Sequence, residues 1–380
     1  MRKNLLARAS AFAVACASLA GAAAAAETVV SDVIVVTAQF REQNVLEVPI
    51  AVTAYDGRFL ETIGVDSFEQ LSAYVPGFVV QEQSVNNPGF VLRGITSDDG
   101  AANIEPRVSV FQNGVSISRS RGSIVQLHDI ERVEALKGPQ GTLFGRSAQI
   151  GAVHVITNKP TYEMAAGFSA EFGNYGYESY KGFVNAPLVD GKLALRAAVA
   201  YKQRDGFIAN PLGDALNGTD TLSVRGSARA EPADNLRIDI IGNYSKDKPP
   251  GTSFKSGVIP ALGGDTDPNA FATLNTFGNF LGGAPLGVER EIKDLTAIVS
   301  WKISNAWTLT STSSWREFSS LEVFDPDGSA LAITIFAEDA KGEQWSSDIR
   351  FAFDNGGRVA GFFGGGVFSE KGTQSVPLGL

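Results

Sequence analysis

The chain contains almost no cysteine or histidine, and this scarcity excludes several kinds of chemistry. Cys16 is the single cysteine, and His128 and His154 are the two histidines, in 380 residues. Because Cys16 lies in an expected export signal, the sequence predicts neither a disulfide nor a cysteine metal site in the mature protein. Each histidine stands alone among apolar or backbone-rich neighbours, which favours a structural role over metal binding. We therefore expect no metal and no cofactor.

The sequence also lacks a basic surplus and, beyond its first segment, a long apolar run. Its 32 Lys and Arg against 41 Asp and Glu give a net charge of −9. This balance argues against a nucleic-acid-binding face. No run of about 18 apolar residues follows the first segment, so the sequence predicts no transmembrane helix.

The first segment, Met1–Ala26, has the pattern of a secretory signal peptide. Arg2 and Lys3 precede an apolar run over residues 9–20, and small residues follow the run, as at a cleavage site. The run is too short to span a bilayer as a helix. A retained helical anchor is the alternative. We expect export of the protein, with Glu27 as its mature N-terminus.

Glycine is abundant, with 41 residues in the chain against a usual share of about 7%. One glycine-rich stretch, GPQGTLFGRSAQIGAVHV at residues 138–155, comes close to two enzymatic motifs. A P-loop would need glycine at Gln140 and lysine at Arg146, and a nucleophile elbow around Ser147 would need glycine at Gln149. Both motifs fail, so the glycines are expected to allow tight turns and close packing. They are Gly138, Gly141, Gly145 and Gly151.

Residues 45–160 alternate short helical and strand-like segments, which predicts a small mixed α/β domain. Asp56–Ile63 is predicted to be a helix that ends near Gly64. Ser67–Gln70 has the form of a capping box that opens a helix through Tyr74. The predicted strands are FVVQEQ, GFVLRGI, the two strands of RVSVFQNGVSIS around Asn113-Gly114, ERVEAL and GAVHVITNK.

After residue 161 the sequence changes to segments of about ten residues in which apolar and polar side chains alternate. In KLALRAAVAYK, Leu195, Val199 and Tyr201 share one face. Arg196 and Lys202 lie on the opposite face. An apolar face, a charged face and aromatic residues near the segment ends are typical of strands in a transmembrane β-barrel. A soluble β-sandwich, which also alternates, is the alternative.

Short turns and long loops alternate between these segments, as they do in outer-membrane barrels. Long loops are expected over approximately 203–220, 247–289 and 318–340. We count about nine strands, and a barrel of that size could not enclose a domain of over a hundred residues. The fold class expected is therefore a mixed α/β domain followed by an antiparallel transmembrane β-barrel that is truncated in this chain. The short turns are expected at 190–191, 233–235, 304–305 and 355–357.

Several motifs, in this order, resemble those of the TonB-dependent outer-membrane receptors. The segments DVIVVTAQ, FVLRGI, VSVFQNGV and IERVEALKGPQGTLFGRSAQIGAVHVITNKP are similar to the TonB box and to successive plug-domain motifs. The resemblance covers residues 31–380. It implies four parts: a signal peptide (1–26), a TonB box with its linker (27–44), a plug domain (45–160) and the N-terminal part of a 22-stranded barrel (161–380).

The resemblance implies energised uptake of a scarce solute across the Gram-negative outer membrane, and no enzyme activity. An iron–siderophore complex is the expected ligand, with an oligosaccharide or cobalamin as the alternative. The expected partners are TonB, which would pair with the extended box, the outer-membrane lipid and the small-molecule ligand. No nucleic acid is expected, and the receptor is expected to be a monomer. The alternatives from other classes are a passive porin-like channel and a secreted serine hydrolase that uses Ser147.

The resemblance also implies roles for particular residues. Arg93 and Lys137 correspond to the cations that lock the plug to barrel glutamates, although Lys137 stands where arginine is usual. The apical loops at Asn86, Asn87, Asp98 and Asp99 are expected to face the ligand. The TonB box comprises Asp32, Val33, Ile34, Val35, Val36, Thr37 and Ala38. The other plug-motif residues are Gly94, Asn113 (in place of the usual aspartate), Gly114, Glu131, Arg132, Glu134, Gly138, Gly141, Gly145 and Arg146.

Ordinary structural roles compete with these assignments. Arg93 and Lys137 are, in the simpler interpretation, solvated charges. Alternating charges at 131–134 could form an acid/base pair, but on one short strand they are more typical of structural ion pairs. A calcium site at 98–99 is disfavoured because the loop lacks the EF-hand pattern.

Overall fold

The structure is a computed structural model of the chain. It describes residues 35–37, 43–46, 48–81, 85–96, 105–144, 148–210, 213–254, 281, 283–328 and 334–379. The chain divides into two units after Val33, and every described residue belongs to the second unit. Within the described part of the chain, no helix is long and apolar enough to cross a membrane.

A five-stranded mixed sheet forms the centre of the domain that precedes residue 161. Its strands are β3 (Ala51–Asp56), β7 (Val108–Gln112), β8 (Val115–Ile117), β9 (Ile130–Lys137) and β10 (Gly151–Thr157). Their order in the sheet is β3-β9-β10-β7-β8. The β10–β7 pair is parallel, and the other neighbours are antiparallel. The strands predicted from ERVEAL, GAVHVITNK and the hairpin are therefore confirmed.

The side chains of this sheet alternate between two faces of different character. One face buries residues such as Val110, Val133 and Val153 in the main apolar core of the domain. The opposite face carries Glu134 and His154, which are direct cross-strand neighbours on β9 and β10. A carboxylate and an imidazole therefore lie side by side on a buried sheet face, whereas the other face is apolar.

The first predicted helix is present as α1 (Gly57–Thr62). Asp56 Oδ1 accepts a hydrogen bond from the backbone N–H of Phe59 at 2.7 Å, which caps the helix at its N-terminus. Gly64 follows the helix with a φ of +71°, a conformation that glycine adopts without strain. The predicted start and end of this helix are confirmed.

The second helix, α2 (Phe68–Ser72), ends before the predicted Tyr74. Ser67 Oγ accepts from the backbone N–H of Gln70 at 3.3 Å, as predicted for a capping box. Gln70 Oε1, however, accepts from the backbone N–H of Asp66 at 2.7 Å rather than from Ser67. The residues after Ser72 form a turn in which backbone N–H groups bond to carbonyls three residues back.

A three-stranded sheet, β4 (Phe78–Gln81), β5 (Gly89–Leu92) and β6 (Ile95–Thr96), covers part of the core. The single strand predicted over GFVLRGI is wrong, because the chain reverses at Arg93 and Gly94. Their φ values of +53° and +77° are typical of the tight turn that joins two antiparallel strands.

A larger sheet of nine antiparallel strands follows residue 161, each paired with its sequence neighbours. Over the described residues this agrees with the predicted count of about nine strands, and a two-residue strand, β20 (Leu378–Gly379), pairs with the eighth of them. The nine strands are β11 (Ala165–Gly173), β12 (Tyr177–Val189), β13 (Leu193–Arg204), β14 (Thr219–Ala233), β15 (Leu236–Asp247), β16 (Gly287–Lys302), β17 (Trp307–Phe324), β18 (Ile335–Asp354) and β19 (Ala360–Ser375).

Burial in the nine-stranded sheet is inverted relative to a soluble protein. Arg225, Asp294 and Arg316 are buried, whereas Leu295 and Trp345 are 52% and 50% exposed. Polar residues of the inner strands, such as Arg225 and Arg316, pack against the first domain, and the apolar side chains of these strands point outward. This inversion is what a strand needs when lipid surrounds its outer face.

The predicted connection lengths are correct for two of the three long loops. β13 ends at Arg204 and β14 begins at Thr219, while β15 ends at Asp247 and β16 begins at Gly287. The third loop, predicted over 318–340, is wrong because β17 continues to Phe324 and β18 starts at Ile335. The residues that extend β17 into the predicted loop turn polar side chains inward, and these are buried, as at Ser320 and Glu322. The extended part of the strand therefore has the composition of a loop.

Candidate functional site

A short segment near the N-terminal end of the described residues is docked on the first domain. Residues 35–37, called here the docked segment, include β1 (Val35–Val36), which pairs with β2 (Gln43–Asn44). Val36 is fully buried and belongs to an apolar cluster with Phe111 and Leu136. The segment is therefore covered on its Val36 side by the face of the five-stranded sheet that also carries Glu134.

Two side chains of β9 hold the end of the docked segment. Glu134 Oε1 accepts from the backbone N–H of Thr37 at 2.8 Å and from Thr37 Oγ1 at 3.2 Å. Arg132 donates from Nη2 to Thr37 Oγ1 at 3.1 Å and from Nε to Glu134 Oε1 at 2.8 Å. The Glu134 side chain has no exposed surface, so these hydrogen bonds form away from water.

Glu134 also faces His154, which contacts the β7–β8 turn. His154 Nε2 accepts from the backbone N–H of Gly114 at 2.9 Å, and its Nδ1 lies 4.0 Å from Glu134 Oε2. Burial lowers the pKa of His154 to about 4, even though Glu134 acts to raise it. The imidazole is neutral at pH 7, and with Nε2 as acceptor its proton is on Nδ1, toward Glu134.

A second set of contacts joins the first domain to the nine-stranded sheet through buried arginines. Arg225 Nη1 donates to the backbone carbonyls of His128 at 2.9 Å and Asp129 at 3.0 Å. Arg316 donates from Nε at 3.1 Å and from Nη2 at 2.7 Å to the carbonyl of Gly122. Backbone carbonyls are thus the main acceptors on the domain side, and Gln112 Oε1 also accepts from Arg316 Nη1 at 3.2 Å.

Arg290 makes a third contact of the same kind. Its Nη1 donates to the carbonyl of Val85 at 3.0 Å, and its Nε donates to Asp247 Oδ2 at 2.9 Å. Arg316 is likewise paired with a strand carboxylate, Asp294, at 2.7 Å. Such pairing is what allows guanidinium groups to be buried. Arg225, Arg290 and Arg316 are called here the guanidinium contact.

Ion pairs add to this contact at two acidic residues of the first domain. Asp129 accepts from Arg196 Nε at 2.8 Å, and Asp66 accepts from Lys202 Nζ at 2.9 Å. Burial acts to raise the pKa of both carboxyl groups. The neighbouring cations outweigh burial, so the pKa of Asp66 and that of Asp129 are lowered. Both residues are therefore ionised at neutral pH.

A cavity of about 850 Å³ lies between the first domain and the sheet, at the strand ends that carry the long loops. Charged residues of both signs line the cavity. Two of its cations, Lys202 and Arg290, are neutralised by the ion pairs described above. Tyr175 and Phe207 form an aromatic pair in its wall, with ring centroids 6.1 Å apart. The Arg204 guanidinium lies 4.8 Å from the Phe207 ring centroid. Polar, charged and aromatic side chains thus share the lining of this cavity.

Arg93 and Lys137, the two predicted lock cations, lie near each other. A Cβ added at Gly138, next to Lys137, would be 3.4 Å from Arg93 Nη1. Burial and then the charge of Arg93 lower the pKa of Lys137. Among the described residues neither cation forms an ion pair with a carboxylate, and Arg93 is exposed.

The other predicted site residues have varied surroundings. Asn86 is fully buried and its Oδ1 accepts from Ser320 Oγ, so this side chain faces the sheet, next to Asn87. Asn113 is the first turn residue of the hairpin, with a φ of +51°, and its Oδ1 accepts from the backbone N–H of Thr157 at 3.0 Å. Glu131 pairs with Arg132 at the surface. Asp32, Val33, Ile34, Ala38, Asp98, Asp99, Gly145, Arg146 and Ser147 lie outside the described residues.

Two of the four motif glycines are sterically required, and one is not. A Cβ at Gly151 would lie 2.3 Å from the carbonyl oxygen of Leu136, and Gly138 has a φ of +117°. Gly141 begins a short helix, α3 (Gly141–Phe144), and a Cβ there would meet nothing within 4 Å. Close packing therefore explains Gly151 and backbone conformation explains Gly138, but neither explains Gly141.

Comparison with known proteins identifies the first domain. Residues 44–152 match the TonB-dependent Receptor Plug Domain. These residues therefore form a plug domain of the TonB-dependent receptor type, and the chain as a whole is similar to TonB-dependent receptors. The first domain is accordingly called the plug domain below.

Curated relatives and solved structures agree with this family. The pesticin receptor of Yersinia pestis is 31% identical over 175 residues, which are 45% of this chain and 25% of the relative. The ferrioxamine B receptor of Salmonella typhimurium is 23% identical over 257 residues, or 63% of this chain and 35% of the relative. The curated relatives' matched regions thus cover well under half of their length.

The crystal structure of the ferric yersiniabactin uptake receptor of Yersinia pestis has the same fold. It superposes with a TM-score of 0.70 at 20% identity, over 87% of this chain and 49% of that chain. A ferripyoverdine receptor of Pseudomonas aeruginosa superposes with a TM-score of 0.71 at 16% identity, over 90% of this chain and 45% of that chain. The chain therefore spans about half the length of these solved receptors.

The sequence did not predict the guanidinium contact or the role of Glu134. Alternation placed Arg225 on the polar face of its strand, but it did not indicate an acceptor. Most of the acceptors are backbone carbonyls, which carry no residue signature. Arg132 and Glu134 were predicted as structural ion pairs, and the Thr37 hydrogen bonds had no sequence signal.

Proposed function

We propose that the protein is a TonB-dependent receptor of the Gram-negative outer membrane that takes up a scarce small solute, with an iron–siderophore complex as the ligand. The observation that carries the proposal is the family plug domain packed, through buried charges, against the polar face of barrel strands. The names of relatives support the ligand class, because the ferrioxamine B and ferripyoverdine receptors recognise iron chelates by name. The plug domain extends over 45–160 in this proposal, after removal of the signal at 1–26.

TonB is the proposed partner, and residues 32–38 are the proposed TonB box. An extended segment of this kind binds by adding a strand to a partner's sheet, so its backbone supplies much of the affinity. The paired, extended backbone of Val35–Val36 supports this assignment. We further propose that Arg93 and Lys137 lock the plug domain to barrel glutamates, since neither has a carboxylate partner among the described residues.

Deletion of residues 32–38 tests the proposal. We expect uptake of a radiolabelled ferric siderophore to be lost, while its binding to whole cells is unchanged. An uncoupler should abolish uptake by the parent protein to the same extent. Uptake that survives both treatments would contradict the proposal and support a passive channel.

Cobalamin is the second candidate ligand, because a vitamin B12 transporter of Photobacterium profundum is 28% identical over 255 residues. An oligosaccharide is a third. Growth on a panel of ferric chelates, cobalamin and glycans, with and without added iron, separates these candidates. The family's named relatives are receptors and transporters; ester hydrolysis that is lost in Ser147→Ala would instead indicate an enzyme.

A further inference from the structure

The docked segment is held in a conformation that a strand-adding partner cannot bind. Val36 has no exposed surface, and one edge of β1 is already paired with Gln43–Asn44 of the same chain. Strand addition needs an accessible extended backbone. This segment must therefore leave the plug domain before another protein can pair with it.

Most of the polar contacts that keep the segment in place converge on one carboxylate. Glu134 Oε1 accepts both the N–H and the hydroxyl of Thr37, and Arg132 bridges the same two residues. A carboxylate with no exposed surface makes strong, water-excluded hydrogen bonds. Among the described residues, the other attachments of the segment are its backbone pairing with β2 and the apolar burial of Val36, which is not directional.

We propose that Glu134 is the positioning residue that keeps residues 35–37 docked on the plug domain and so withholds them from strand pairing with TonB. This inference rests on the proposed function for the identity of the partner. Glu134 occupies the same row of side chains as His154, which bonds to the β7–β8 turn. Beyond that turn, Ser118 and the carbonyl of Ser116 bond to Gln344 of the nine-stranded sheet. Glu134 is thus within two side chains of a hairpin that touches the barrel strands.

Thiol labelling of the variant Val36→Cys tests this role in the full chain. Cys16 is the single natural cysteine, and the parent protein without the Val36 substitution gives its background. Cys at position 36 reacts with a water-soluble maleimide when the segment undocks, so the rate reports the undocked population. Purified protein in detergent, without TonB, is sufficient.

Thr37→Val is the first test variant, because it removes both hydroxyl contacts, keeps a β-branched side chain and leaves the plug core unchanged. We expect it to raise the labelling rate about two- to tenfold, the effect of losing ordinary hydrogen bonds. Glu134→Gln removes the charge and should raise the rate about tenfold or more. Glu69→Gln is the control, since Glu69 is an exposed carboxylate on α2 rather than on β9, and its rate should be that of the parent.

The second readout is the affinity of the TonB C-terminal domain for the ligand-free protein. It should increase in Thr37→Val by the same factor as the labelling rate, with the affinity for ferric siderophore unchanged. Equal labelling rates in all variants, or an equal rise in Glu69→Gln, would overturn the role of Glu134 while leaving the box-deletion result intact. Faster labelling without binding of TonB by any variant would overturn the proposed partner.

Discussion

The plug domain accepts hydrogen bonds from both the barrel strands and the docked segment, but the charged group lies on opposite sides of the two contacts. At the guanidinium contact the sheet supplies buried cations, and the plug domain supplies backbone carbonyls such as that of Gly122. At the docked segment the plug domain supplies one buried carboxylate, Glu134, and the segment supplies an N–H and a hydroxyl. The first contact is repeated at three arginines, whereas the second depends on two neighbouring side chains of β9, Glu134 and Arg132.

This difference indicates which contact is built to persist. Removing Arg290 or Arg316 leaves a buried carboxylate without its cation and a buried carbonyl without this donor, which is costly. Undocking of residues 35–37 exposes one valine and rehydrates a few polar atoms. We infer that the barrel side of the plug domain stays attached under conditions in which the docked segment is already released.

The largest expected effect is that of Arg316→Met. This change leaves Asp294 without its cation and removes both hydrogen bonds to Gly122, so we expect the free energy of unfolding to fall by about 3–5 kcal/mol. Chemical denaturation measures it, and hydrogen exchange should show lost protection in β7 and β8.

Arg237→Met is the matched control for Arg316→Met. Arg237 is 53% exposed and pairs with Glu231 outside the plug contact. Its removal should cost no more than about 1 kcal/mol. Similar losses in the two variants would mean that buried arginines do not distinguish the barrel side of the plug domain.

Acid pH is expected to lower the folding stability of the plug domain, because a buried histidine lies on each of its two sides. His128 lies beside Arg225 and His154 lies beside Glu134, and burial lowers their pKa values to about 3 and about 4. The unfolded chain, with histidine pKa values of about 6.5, binds more protons below that pH, so stability falls as pH drops from about 6.5 toward 4. Each histidine should contribute a loss of about 2 kcal/mol at pH 5.

Denaturation at pH 7.5 and pH 5 in the variants His128→Gln and His154→Gln separates these contributions. Each variant should lose about half of the pH dependence, and the strands from 165 onward contain no histidine that could replace it. Because the pKa values of Asp66 and Asp129 are lowered, these carboxylates lose their stabilising charge only at more acid pH. An unchanged slope in both variants would contradict the assignment.

The sequence predicted the elements of both regions better than the contacts between them. The Asp56 cap, the Asn113-Gly114 turn and the nine alternating strands have local signatures, and each is present. The GFVLRGI strand failed because Arg93 adopts a positive φ, which arginine rarely does. The loop predicted over 318–340 failed because β17 and β18 extend into it with a buried face that is polar. The guanidinium contact depends on carbonyls that are distant in sequence, so no local pattern encodes it.

The smallest expected effect tests whether the two sides of the plug domain share one rigid sheet. Gly151 lies between them: a Cβ there would be 2.2 Å from Leu92 Cδ2, in the main core, and 2.3 Å from the carbonyl oxygen of Leu136, in the cluster that buries Val36. The leucine side chain can move, but the carbonyl is fixed in the β9–β10 ladder. Gly151→Ala should therefore destabilise the protein by about 1–3 kcal/mol.

Gly141→Ala provides the control for Gly151→Ala within the same motif. Its Cβ would meet nothing within 4 Å, so we expect a change in unfolding free energy within about 0.5 kcal/mol. Measured together with the labelling rate of Val36→Cys, Gly151→Ala also separates two mechanisms. Faster labelling of Val36→Cys would mean that a shift of the β9–β10 ladder loosens Glu134 and the docked segment together. An unchanged labelling rate with a lower free energy of unfolding would mean that the strain is confined to the face of the sheet that packs in the main core. Equal stability of the two alanine variants would show that the β9–β10 ladder accommodates a methyl group. Glycine would then be present at position 151 for a reason other than packing.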